Sequence, residues 1–123
     1  MQYHHLMTIS IIYEKSLQFA IKIIPVYKRM SSVDKELIIS KQLIRSATSI
    51  GANSAEAISA VSRKDFILRM SIALKEARET YYWLTLVSAG DYYSKEKLMQ
   101  LLFDCNELIS ILSKIISTTK RNN

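Results

Sequence analysis

The sixteen residues Gln42 to Ala57, QLIRSATSIGANSAEA, restrict the fold more than any other stretch of the chain. Leu43, Ala47, Ile50, Ser54 and Ala57 step by four and three, the spacing of one face of a helix. Most of them are small, so a second helix can approach closely along that line. A polar line, Gln42, Ser46, Ser49, Asn53 and Glu56, runs beside it. Gly51 falls in mid-helix, where glycine costs about 1 kcal/mol relative to alanine. A close helix crossing offsets that cost. The stretch therefore asks for a helix packed against at least one other helix.

The flanking segments supply the partners. A first helix is expected over about Ser10 to Met30, with Tyr13, Leu17, Ala20, Ile24 and Tyr27 as its stripe. Pro25 lies inside it and predicts a kink, or a break into two helices. Ser31 and Asp34 have the spacing of a capping box, opening a second helix over about Val33 to Ala60 whose buried face starts at Leu37 and Leu43. Ser62 and Asp65 form another box, and the third helix then buries Phe66, Met70, Ala73, Ala77, Tyr81 and Leu84 before stopping near Gly90. Ser94 caps the last helix, which carries Leu98, Leu102, Cys105, Ile109, Leu112 and Ile116. A second stripe there, Leu101, Leu108 and Ile115, suits a neighbouring subunit. Short links make successive helices antiparallel neighbours. The expected fold is all-α: one domain over residues 1–123, an up-down-up-down antiparallel four-helix bundle with its core at about 10–118.

Composition agrees. Hydrophobic residues are 49% of the chain, with only two Gly and one Pro, which argues against disorder and against a turn-rich β fold. A mean hydropathy of +0.06 implies apolar surface in need of a partner subunit. Lys22, Lys28 and Lys41 interrupt the most apolar regions, so no run reaches the roughly 18 residues of a membrane span. Met1 to Ile12 lacks the basic start of a secretory signal. Cys105 is the only cysteine and has no partner for an internal disulfide. A cytoplasmic protein without membrane contact is expected.

Seventeen Lys and Arg against eleven Asp and Glu give a net charge of +6, which favours an anionic partner such as RNA or DNA. Arg63, Lys64, Lys95, Lys97, Lys120 and Arg121 are the candidate contacts, near helix ends or in the tail. The alternative is a dispersed, solvated surface whose charge serves solubility, on a protein-interaction scaffold.

A second constellation is polar. Glu76 and Glu79 lie one turn apart on the third helix and repel each other. Arg45 on the second helix can bridge them, its planar fork matching a carboxylate. With Gln42, Asn53 and Glu56 it defines an expected polar layer between the two helices. Such a layer fixes register more often than it forms an active site.

Catalytic chemistry finds little support. Di-metal sites in helical bundles need Glu-x-x-His, and the only histidines, His4 and His5, stand outside the bundle pattern. No helical His can activate Cys105 or a serine, and there is no Gly-rich phosphate loop. Tyr81, Tyr82 and Trp83 point in different directions, so they make no single stacking platform. Tyr81 is expected in the core and Trp83 over the polar layer. No enzyme, cofactor or metal is expected.

The run SKQLIRSATSIGAN (40 to 53) with Glu56-Ala57, followed by SRKDFI (62 to 67), Met70, ALKEARET (73 to 80) and Tyr82-Trp83-Leu84, resembles a known family. These are small bacterial proteins named after open reading frames in intervening sequences of large-subunit ribosomal RNA genes. The resemblance spans about residues 15 to 115. It implies a four-helix bundle assembling as a ring-like homo-oligomer, typically a pentamer, without established enzymatic activity. It also implies kinship with the basic accessory protein of diversity-generating retroelements, which works with a reverse transcriptase and nucleic acid. Many relatives carry Gly after the glutamate of the Asn-to-Glu motif, where this chain has Ala57.

Overall fold

The structure is a computed structural model that describes the backbone of residues 3–122 and the side chains of residues 7–122. Four helices account for nearly all of it: α1 (Tyr3–Lys28), α2 (Ile38–Ile58), α3 (Arg63–Ala89) and α4 (Lys95–Arg121). Among the described residues there is no strand. The imidazoles of His4 and His5 lie outside the described side chains.

Neighbours in sequence are neighbours in space. α2 packs most extensively on α3, then α3 on α4 and α1 on α2, while α1 and α4 touch more sparsely. α1 and α3 thus lie across the diagonal of a four-helix bundle. Side-chain ties fix the level of α3 against α4. Arg63 at the start of α3 donates to the Thr119 carbonyl, Cys105 Sγ lies 3.2 Å from the Ala77 carbonyl, and Lys95 Nζ donates to the Ser88 carbonyl at 2.8 Å.

The α2 stripe read from the sequence is buried throughout, at Leu43, Ala47, Ile50, Ser54 and Ala57. On α3 Phe66, Met70, Ala73, Ala77 and Leu84 are buried, with Tyr81 half-buried at the edge. Ser62 Oγ accepts from the Asp65 amide at 3.0 Å, and Ser94 Oγ accepts from the Lys97 amide at 3.3 Å, so both expected caps form.

α1 departs from expectation. Its buried face is Ile9, Ile12, Ser16, Phe19, Ile23, Val26 and Met30, whereas Leu17 and Ile24 face solvent. α1 is apolar on nearly every side, so two stripes satisfy the helical period and spacing alone does not choose between them. Pro25 breaks nothing: the helix runs through it to Lys28 and continues as a π-helical turn, Arg29–Val33. That turn corrects the start of α2. Ser31 Oγ donates to the Tyr27 carbonyl at 2.7 Å and caps no helix. Glu36 opens α2 instead, accepting from the Ser40 amide at 2.9 Å, and the helix begins at Ile38 with Leu37 exposed.

Two further expectations change. Gly90 has an ordinary φ of −85°, and the left-handed residue is Asp91 at 62°. A Cβ at 90 would lie 2.5 Å from the Tyr92 ring, so any larger residue there requires that ring to shift. On α4 both stripes are covered within the chain, since Leu101, Leu108 and Ile115 are as buried as Cys105 and Leu112. One continuous share of the exposed apolar surface lies on α1, where Met7, Ile11, Leu17, Ile21 and Ile24 fall within one arc of the helix and are all exposed.

Candidate nucleic-acid interface and polar layer

The polar layer is centred on Arg45. Its Nη1 reaches Glu76 Oε2 at 3.1 Å, its Nη2 donates to Glu79 Oε2, and its Nε reaches Gln42 Oε1 at 3.3 Å. One guanidinium therefore binds both carboxylates and the amide that orients it. Trp83 Nε1 donates to Glu79 at 3.1 Å and covers the edge of the cluster. Glu76 is buried, Glu79 and Trp83 are half-buried, and Arg45 is exposed on its outer side. Behind them Thr80 Oγ1 and Ser46 Oγ, both fully buried, lie 2.9 Å apart. The Ser46–Thr80 contact was not anticipated; its signal is two small hydroxyl residues at otherwise apolar positions of facing stripes.

Asn53 and Glu56 do not join the layer. Asn53 Nδ2 donates to the Ser49 carbonyl of its own helix at 2.9 Å, and Glu56 is exposed. They lie two turns or more along α2 from Arg45, roughly 12 to 16 Å away. At that level the α3 positions on the same side are Ile72, which is apolar, and Arg69, whose guanidinium lies 3.6 Å from Asp65 of its own helix.

The cluster sits between α2 and α3. A cavity of about 270 Å³ opens on the other side of the bundle, between α1 and α4, over Phe19 and Leu108. It is spanned by two ion pairs, Lys15–Glu107 at 3.1 Å and Lys22–Asp104 at 3.5 Å. Among the described residues no group of three His, Cys, Asp or Glu side chains is placed to hold a metal ion, and no helix is long and apolar enough to cross a membrane.

The six candidate cations separate into two groups. The Arg63–Thr119 contact brings Arg63 and Lys64 to the end of the bundle that holds Lys120 and Arg121. Lys95 and Lys97 lie at the other end of α3, roughly 40 Å away. Lys64, Lys97 and Lys120 are exposed, and Arg121 reaches Thr118 Oγ1 at 3.5 Å. Arg63 and Lys95 are occupied within the fold, one on Thr119 and the other on Ser88 and, at 3.9 Å, Asp91. Both compensate the negative carbonyl end of a neighbouring helix.

On α3 and α4 sequence reasoning passed over three exposed cations, Lys75, Arg78 and Lys114. Their signal is positional. They recur on the outer faces of two amphipathic helices, away from the runs of basic doublets.

Comparison with known proteins places the chain. No curated protein sequence matches it. A crystal structure of a protein of unknown function from the S23 ribosomal protein family of Bacteroides thetaiotaomicron is 44% identical, with a TM-score of 0.85 over 89% of this chain and 98% of that one. Residues 9–114 match the family described as 23S rRNA-intervening sequence protein. That span holds the Arg45 cluster, the α2 stripe and both helix caps, and the chain belongs to the 23S rRNA-intervening sequence protein family.

Proposed function

We propose that the chain is a non-catalytic, self-assembling protein that binds structured RNA or DNA through a basic surface. Its helices alternate up and down, and several copies, five on the family resemblance, close a ring in the cytoplasm. The observation that carries the assembly is the outer face of α1, where five large apolar side chains stand in water. Covering five half-exposed residues of this size is worth roughly 5 kcal/mol per protomer. The +6 charge and the ribosomal RNA context in the family's description support the nucleic-acid half. Cations from several copies would act together, so affinity would rise with assembly.

A second reading has its own support. Val33, Leu37 and Ile38 are exposed at the α1–α2 corner, with Ile38 77% accessible, as a protein-interaction scaffold would need. Light scattering with and without added RNA separates the two. The first reading expects a discrete oligomer that shifts to higher mass with RNA at about 50 mM salt and releases it at about 200 mM. A single-copy particle, or retention of RNA indifferent to salt, overturns it. A protein partner captured in a nuclease-resistant pull-down supports the scaffold.

A further inference from the structure

The acidic residues of α3 and α4 are turned to one side. Glu76 and Glu79 are held by Arg45 of α2, Asp65 lies 3.6 Å from Arg69, and Asp104 and Glu107 pair with Lys22 and Lys15 of α1. The outer faces of α3 and α4 are left richer in the opposite charge. Lys64, Lys75 and Arg78 occupy one outward line of α3, and Lys114 and Arg121 one outward line of α4, all exposed. Among the described residues two acids share those lines, Glu96 in the first turn of α4 and Glu107, whose carboxylate is paired with Lys15 of α1.

Two exposed aromatic rings lie on the same lines. Tyr82 of α3 is 57% accessible and Phe103 of α4 is 66% accessible. The Ala77–Cys105 contact sets them at the same level of the bundle, beside Arg78. The Tyr82 ring is braced edge-on by Trp83, with centroids 5.0 Å apart. A folded chain gains nothing from leaving the outer faces of a Phe and a Tyr beside cations in water. Cations that track a backbone, with rings offering their faces between them, suit one class of ligand. That class is a strand whose phosphates are continuous and whose bases are unpaired. A duplex would meet the cations but keep its bases from the rings.

We propose that the α3–α4 face binds single-stranded nucleic acid, with phosphates along Lys64, Lys75, Arg78, Lys114 and Arg121 and bases stacked on Tyr82 and Phe103. The proposal rests on the nucleic-acid reading above and names the part of a structured RNA or DNA that is held, its unpaired strand, and the surface that holds it. The track from Lys64 to Tyr82 is roughly 27 Å long. The α3 line lies across the diagonal of the bundle from α1, so assembly through the apolar side of α1 leaves it open.

Fluorescence anisotropy with the full chain tests it, using a labelled oligo-uridylate of about 12 nucleotides and a duplex of equal length. The wild type is expected to prefer the single strand. Lys75→Glu with Arg78→Glu should weaken binding at least tenfold and flatten the salt dependence. Tyr82→Ala with Phe103→Ala should weaken single-strand binding about tenfold or more, with the salt dependence kept. Lys28→Glu with Lys41→Glu, on the far side of the bundle, should lose less than the α3 pair. Circular dichroism confirms the fold of each, and Lys75→Gln with Arg78→Gln serves if charge reversal unfolds the chain. Equal loss in the far-side control, or no loss in the aromatic pair, overturns the proposal while leaving nucleic-acid binding intact. No binding by the wild type at low salt removes both.

Discussion

Gly51 of α2 lies against Ser16 of α1 so closely that a methyl group on Gly51 would sit 3.3 Å from Ser16 Oγ. Ser16 is fully buried and its hydroxyl donates to the Tyr13 carbonyl at 2.9 Å. The pair fixes which face of α1 turns inward, since a larger residue at either position would hold the helices apart. Gly51→Leu is expected to destabilise the chain by about 2 kcal/mol or more through overpacking. The double substitution Ser16→Ala and Gly51→Ala removes the crowding hydroxyl and recovers helix propensity, for a gain of about 1 kcal/mol. Urea unfolding of the three proteins, compared at constant m-value, checks both signs.

Arg45 holds two carboxylates that repel each other, one of them buried. Arg45→Ala leaves Glu76 and Glu79 facing one another and should cost about 2 kcal/mol, while Arg45→Ala combined with Glu76→Gln should recover part of the loss. A double-mutant cycle by thermal unfolding measures the coupling. A coupling near zero would mean that the cluster is solvated and leaves register to the apolar stripes.

Cys105 is enclosed between α4 and α3, with its thiol 3.2 Å from the Ala77 carbonyl. Burial, and to a lesser degree the charge of Asp104, push its pKa from 9.0 up to about 12. The native state thus holds the thiol proton more tightly than the unfolded chain. The associated stability is complete below about pH 9 and is lost as pH rises towards 12. At pH 8 the native thiolate fraction is roughly a thousandfold below that of a free thiol. An aromatic disulfide reagent should therefore label the native protein negligibly and the denatured protein at once. Cys105→Ala should flatten the alkaline limb of the stability curve.

Much of this architecture is legible in the sequence because small and large residues alternate there on a strict period. The stripe from Leu43 to Ala57, the Ser62 and Ser94 caps and the Arg45–Glu76–Glu79 grouping all rest on spacings within one or two helices. What spacing does not carry is choice among equivalent faces. Ile12, Phe19 and Ile23 are no more apolar than Leu17, Ile21 and Ile24, and only the fit of Ser16 to Gly51 separates them. Nor does it show how a turn is wound. Ser31 has the composition of a cap, yet the π-helical turn gives its hydroxyl to Tyr27. The basic candidates share this limit: doublets such as Arg63-Lys64 are conspicuous in a linear reading, while Lys75, Arg78 and Lys114 align only once two helices stand side by side.

The exposed face of α1 gives the prediction on which assembly depends. Ile21 and Ile24 lie near its middle, 49% and 40% accessible, with Leu17 beside them. Charges placed there face water in a single copy, so Ile21→Glu with Ile24→Glu should leave helicity and melting of a monomer nearly unchanged. In an oligomer joined through α1 the same charges would be buried against apolar side chains without partners. The variant should then sediment as a folded single copy at concentrations where the wild type is associated. Phe103→Glu, on the outer side of α4, should leave association intact. If the α1 variant assembles like the wild type, the copies meet elsewhere, and the Val33, Leu37 and Ile38 corner becomes the next surface to alter.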